Sequence, residues 1–320
     1  MRRQASFACL LLVTLTLPAT AADSARDLLC AGRVDDALTA LQARIQAAPQ
    51  DAEAPNLLSR AYLLIEKWDR AVEAAERAVA LQPKSSDYHL WLGRAYGNKA
   101  EHCNPFCAAG LAGKVRSEFE RAVELDPANL QARSDLAEYY MEAPGIMGGS
   151  KEKARALAEQ IQQSDPAPAH WLRARLAEKE KQYDLAEKEF RAAIDASSNP
   201  SSAWLDLAGF YRRRGRPADL EAAVNRAVGL PKRSGETLFE AASLLFQAGR
   251  NFPGAVAMLR QYLNDEKMVC GAPAFRAHYL LGSILEKQGD KQAAASAFQA
   301  SLALARDFDD PRKALKRVQR

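Results

Sequence analysis

Residues 67–83 read Lys-Trp-Asp-Arg-Ala-Val-Glu-Ala-Ala-Glu-Arg-Ala-Val-Ala-Leu-Gln-Pro. Ala71, Ala75 and Ala78 share one helical face, because residues three and four apart are neighbours on a helix. Small residues there let a second helix cross closely, and Pro83 ends the unit. Val115, Phe119, Ala122 and Pro127 repeat the scheme, as do Ala154, Ala158, Ile161 and Pro166. Ala186, Phe190 and Ala193 keep it without the proline, and Ala294, Phe298 and Ser301 close the series. Ala37 and Ala71 are 34 residues apart, as are Ala186 and Leu220. Self-similarity at such a period marks an array of stacked units.

A second pattern precedes each of these helices. Leu58 and Tyr62 lead to Ala71, and the pattern returns at Leu92-Gly93 with Tyr96 and at Leu136-Ala137 with Tyr140. Trp204, Leu207-Ala208 and Tyr211 give it again, and Leu281-Gly282 with Leu285 gives the last copy. Turn signals lie between the paired helices, at Gly32-Arg33-Val34, Lys67-Trp68-Asp69, Gly249-Arg250-Asn251-Phe252 and Gly289-Asp290-Lys291. In these residues the chain resembles the tetratricopeptide-repeat (TPR) family over about residues 23–305. The resemblance implies an all-α fold: a right-handed α-solenoid of about eight stacked helix pairs in a single domain, residues 22–320. Each pair exposes an apolar face that only the next pair covers, so stability comes from nearest-neighbour stacking. Residues 309–320, with Pro311 in the first turn, read as a polar capping helix that keeps the open end of the stack in water.

Composition agrees with a soluble helical chain: 48% hydrophobic, 26% charged, and few aromatics. The net charge of +4 is spread along the sequence. A charge so near neutrality argues against nucleic acid as the partner. Residues 1–21 read as a signal peptide: Arg2 and Arg3, an apolar stretch from Phe7 to Leu17, Pro18, then Ala19-Thr20-Ala21 as the cleavage signature. The stretch falls short of the ~20 apolar residues a membrane span needs. The mature chain is expected to be periplasmic or secreted, with no membrane insertion after signal removal.

The period is broken in three places. Pro83 and Pro127 are 44 residues apart, with the surplus near 98–109; Pro127 and Pro166 are 39 apart, with the surplus at 142–149. The third break is 264–274. The 142–149 loop has glycines ahead of Ser150-Lys151, but the order is wrong for a phosphate loop. Ser150 reads instead as the N-cap of the next helix. Its Pro-Gly-hydrophobic-x-Gly-Gly run is similar to loops of bacterial exported TPR proteins, including periplasmic TPR partners of TRAP-type transporters.

Four cysteines remain after signal removal. Cys103 and Cys107 are local and form the natural disulfide pair, whereas Cys30 and Cys270 lie in opposite terminal repeats and are expected to be too far apart to bond. A metal site at His102, Cys103 and Cys107 would lack a fourth ligand. His89, His170 and His278 occupy one recurring early position of a first helix and read as packing residues. No catalytic motif is present, so no enzymatic activity and no cofactor is expected.

The resemblance places the first helices along a concave groove. Mapped onto this sequence, the groove would present Asn56, Arg60, Leu90, Arg94, Ser134, Glu138, Trp171, Arg175, Leu205, Arg212 and Tyr279. Arginine and aromatic residues are the types that dominate binding energies. The family's carboxylate-clamp lysines and asparagines are not reproduced. The expected function is an exported scaffold or adaptor that binds a protein or peptide partner in this groove. Two alternatives stay open, a periplasmic small-molecule carrier or transporter accessory, and a thiol or metal module at Cys103 and Cys107.

Overall fold

A computed structural model describes residues 20–231, 235–264 and 269–320, and every regular element among them is helical. Most of the expected export segment, residues 1–19, lies outside the described residues. Eight antiparallel pairs follow one another: α1 (Thr20–Cys30) with α2 (Val34–Ala47), α3 (Glu53–Leu64) with α4 (Trp68–Leu81), α5 (Ser86–Glu101) with α6 (Pro105–Leu125), and α7 (Leu130–Glu142) with α8 (Lys151–Gln162). Then come α9 (Pro166–Lys179) with α10 (Tyr183–Ala196), α11 (Pro200–Arg213) with α12 (Pro217–Gly229), α13 (Gly235–Gln247) with α14 (Phe252–Asn264), α15 (Ala274–Lys287) with α16 (Lys291–Leu304), and the single α17 (Asp309–Val318). The fold is the all-α tetratricopeptide-type solenoid.

Local chemistry sets the helix ends. Ser85, Asn129 and Ser150 accept hydrogen bonds from the main chain of the first turns they precede, and Pro105, Pro166, Pro200 and Pro217 stand where a missing N–H costs nothing. The turn within most pairs uses a left-handed residue. Gly32, Gly215 and Gly249 supply it, and at the same register Glu66 (φ 62°) and Lys181 (φ 61°) adopt it without that freedom.

The repeat signature is a packing code. Gly93 lies under the Phe119 ring, where an added Cβ would come within 2.5 Å of it, and Gly282 stands in the same relation to Phe298, at 2.6 Å. Three of the recurring tyrosines tie their first helix to the second helix of the preceding pair. Tyr96 donates to Glu76 at 2.5 Å, Tyr140 to Glu120 at 2.6 Å and Tyr211 to Glu187 at 2.7 Å.

Two expectations need correction. The surplus near 98–109 is not an irregular loop. It lengthens α5 and α6 into helices of 16 and 21 residues, joined at 102–104, with Asn104 capping α6. Helix starts again at once after 102–104 because the Asn104 side chain caps α6 and Pro105 stands in its first turn. The surplus at 142–149 is a turn containing a short 3₁₀ helix, Gly145–Met147.

The larger correction concerns the ends. Cys30 and Cys270 are not distant: their sulfurs are within bonding distance and their Cα atoms lie 3.7 Å apart. Each pair rotates slightly on the last, and over eight pairs these rotations accumulate until the leading edge meets the trailing edge. The contact is broad. Lys67 Nζ bonds Asp309 at 2.6 Å, and Arg276 donates to the Leu64 carbonyl at 2.7 Å and to Glu66 at 3.3 Å. The main-chain N–H of Arg306 donates to Asp35, and Gly32 sits so close to Ala274 that a Cβ would approach its nitrogen to 2.5 Å. Phe275, Ala305 and Phe308 join the same buried cluster as Leu29, Val34 and Ile65. The solenoid closes into a ring; α17 covers the last pair, α15 and α16, and its first residue, Asp309, reaches the seam.

Candidate functional site

First helices line the inside of the ring, and three cavities run along it as one surface. Arg94 and Asn98 are shared by the first and second, and Glu138 by the second and third. The third cavity, of about 450 Å³, lies across α7, α9, α11 and α13.

Charged side chains bridge neighbouring first helices like rungs. Arg94 on α5 grips Asp135 on α7 through two nitrogens, at 2.6 and 3.3 Å. Arg175 on α9 reaches Glu142 on α7 at 3.0 Å, and Arg213 on α11 holds Glu178 on α9 at 2.8 and 2.9 Å. Such bidentate pairs fix the plane of each guanidinium. The wall is therefore preorganised, with most of its arginine donors already engaged.

What remains unbalanced differs between the two halves. Near α3, Arg60 lies against the Trp91 ring at 4.3 Å, and burial together with the charges of Arg26 and Arg94 lowers its pKa. In the third cavity the surplus is acidic. Burial first, then the neighbouring charge of Asp135, pushes Glu138 up to about 7 against the pull of Arg175. Asp206 rises to about 6, through burial opposed by a hydrogen bond from Trp171, and Glu240 to about 7, through burial and then Glu236. Glu138 and Asp206 are exposed, and their contact with solvent tempers the rise. Raised carboxyls mean that this half sheds negative charge as the pH falls below neutrality.

Of the residues expected in the groove, Arg60, Arg94, Trp171 and Arg175 line these cavities, as do Glu138 and Leu205. Asn56 does not: it is 5% exposed, packed inside the stack. Tyr279 packs against Phe298 and Phe308, with ring centroids 5.9 and 5.4 Å apart. Arg212 is exposed and lines none of the three, and Arg213 takes the place expected of it. The reason is Gly209, one turn earlier on the same face, which leaves room for the Arg213 guanidinium to lie across the wall. Trp91, Asp135, Glu142, Asp206 and Glu240 were missed. Their signal is present, since each sits one or two positions from an expected groove residue or its repeat equivalent.

Cys103 and Cys107 stand with Cα atoms 6.0 Å apart and their sulfurs in bonding contact at the outer tip of the long α5–α6 pair. His102 stacks on Trp68 and takes no part in a ligand set; among the described residues no group of three His, Cys, Asp or Glu is placed to hold a metal ion. His89 and His170 bond Glu118 and Glu189 on their own partner helices, at 2.5 and 2.7 Å.

A ring of stacked helix pairs with a charged, preorganised inner wall defines a repeat scaffold. The family assignment is direct: tetratricopeptide-repeat profiles match residues 28–95, 171–235 and 239–317, together more than half of the chain, which therefore belongs to that family. No curated protein matches the sequence. Among solved structures, a thermophilic TPR protein of Thermus thermophilus is similar at 20% identity and a TM-score of 0.51, over 60% of this chain and 97% of that one. A tetratricopeptide repeat protein from Parabacteroides merdae is similar at 18% identity and a TM-score of 0.44, over 84% of this chain and 99% of that one. At these identities the likeness is one of fold. Tetratricopeptide repeats generally mediate protein–protein interaction.

Proposed function

We propose that this chain is an exported scaffold that holds an extended segment of a partner protein against the inner wall of its ring. The observation that carries the reading is the continuity of that wall from Arg60 to Glu240, across successive first helices. The charge pattern selects a segment of mixed sign. An acidic group suits the half around Arg60, and a basic group suits the half around Glu138, Asp206 and Glu240. Trp171, half-buried between the two and tied to Asp206, offers the flat apolar anchor typical of interface hot spots. Export to the periplasm or out of the cell is supported by the Arg2-to-Ala21 pattern. Both cysteine pairs fit that setting, because disulfides persist in oxidising compartments.

A competing surface is the outer edge, where Phe106 and Ile146 are 92% and 96% exposed. Affinity capture with three baits separates the two: the mature chain, an inner variant carrying Trp171→Ala, Arg175→Ala and Arg213→Ala, and an edge variant carrying Phe106→Ser and Ile146→Ser. Hot-spot truncations cost on the order of 1–2 kcal/mol each. The inner variant should therefore lose its captured partner by at least tenfold, with the edge variant unaffected. Undiminished capture by the inner variant would move the binding surface to the edge.

A further inference from the structure

Where the ends of the ring meet they enclose a cavity of about 240 Å³, between α1, α3, α5 and the start of α15. Arg26, Arg60, Arg94 and Arg276 all face it. Three of them have carboxylate partners. Arg26 bonds Glu53 at 3.2 Å, Arg94 bonds Asp135 at 2.6 Å, and Arg276 bonds Glu66 at 3.3 Å. Arg60 has no ion-pair partner among the described residues. Its guanidinium lies on the Trp91 ring, which leaves the donors at its edge available to the cavity. Arg60 alone of the four has no carboxylate in bonding contact, although Asp87 and Glu53 lie near enough to act on its charge, and it is held in place by stacking.

Leu29, Leu63 and Leu64 supply the apolar part of the wall beside Asn98 and Cys270, while the Trp91 ring carries the Arg60 and Arg94 guanidiniums at 4.3 and 4.6 Å. The volume is below the roughly 300–1,000 Å³ of sites for drug-sized ligands, so a small molecule is the fitting occupant. One guanidinium without a bonded carboxylate matches a monoanion; inorganic phosphate, carrying more, would leave negative charge unpaired next to Glu53 and Asp135. The geometry points to a binding site for a small organic monocarboxylate, its carboxylate gripped by the edge of Arg60 and its apolar body laid against Leu29, Leu63 and Leu64. The site exists only in the closed ring, because Cys270 and Arg276 form its fourth side. It shares Arg60 with the inner wall proposed above, and titration of the chain alone reads the small-molecule site with no partner present.

Isothermal titration of the full, oxidised chain tests this with hexanoate and benzoate as probes. Acetate, hexanol, hexylamine and inorganic phosphate serve as comparisons. Both carboxylates should bind at least tenfold more tightly than any comparison. Arg60→Met should weaken them at least tenfold with the melting temperature unchanged, and Arg60→Lys should fall between. If Arg60→Met fails to fold, the indole N–H resonance of Trp91, assigned through Trp91→Phe, reads the site in the wild-type chain, and it should move on addition of benzoate. Absence of carboxylate binding, equal binding of hexanol, unchanged affinity in a folded Arg60→Met chain, or a Trp91 resonance that stays still would each overturn the assignment.

Discussion

Replacing Cys30 and Cys270 with serine should destabilise the oxidised chain by roughly 5 kcal/mol, the value expected of a crosslink closing a loop this long. The two cysteines are 240 residues apart, so the bond would constrain nearly the whole unfolded chain. Closure entropy grows only slowly with length, and this loop is near the useful limit. The architecture adds a second effect. Repeats in a solenoid contact only their neighbours, so an open stack frays from its ends, whereas a clasped ring has none. The ion pairs at the seam do not replace the bond, while the buried cluster of Phe275 and Phe308 with Leu29 and Ile65 keeps the ends together in the folded state. Lys67–Asp309, Arg276–Glu66 and Arg306–Asp35 are partly exposed ion pairs, worth ~0–1 kcal/mol each. Urea unfolding followed by circular dichroism should show a lower midpoint and a broader transition in the double serine variant, matched by the reduced wild-type chain. Coincident curves for oxidised wild type and variant would show that the bond contributes nothing.

Phe298→Ala should cost ~3–5 kcal/mol, the usual loss for truncating a buried phenylalanine. Its side chain has no accessible surface and supports Tyr279, which in turn packs on Phe308 at the seam. Gly282→Leu should also destabilise, by ~1–3 kcal/mol or more, because the first added carbon would lie 2.6 Å from the Phe298 ring and 3.1 Å from the Ala294 carbonyl. Combined, the two changes should cost less than their sum, since leucine enters the space the ring has left. Thermal unfolding of the two single variants and the double variant gives the coupling directly. Strictly additive losses would show that the glycine and the phenylalanine are not a packing pair.

The pairing of helices was legible because it is written locally. Ala71, Ala75 and Ala78 need a close neighbour, Tyr96, Tyr140 and Tyr211 recur at the same point of a first helix, and prolines stop the second helices. Residues such as Arg60 and Trp171 could be placed on the inner wall by the same register. The closure of the ring could not. It depends on a small rotation between consecutive pairs, which no single residue encodes and which matters only after eight additions. Cys30 and Cys270 therefore looked remote. Arg212 was preferred to Arg213 for a related reason: the register names the face, while the empty space above Gly209 decides which side chain lies on it. The rung-like pairing of Arg94 with Asp135 and Arg213 with Glu178 joins helices 35 to 41 residues apart, a relation visible only once the stack is built.

The ring is closed by more than one bond. Lys67 and Asp309, 242 residues apart in sequence, meet at 2.6 Å across the seam. A carbodiimide joins amines to carboxylates without a spacer, so it links only groups already in contact. Treated with it and separated by size, the monomeric fraction should yield a peptide pair in which Lys67 is joined to Asp309, whether the cysteines are oxidised or reduced. A monomer with no link between these residues, in a chain otherwise folded and reactive, would contradict the closed ring.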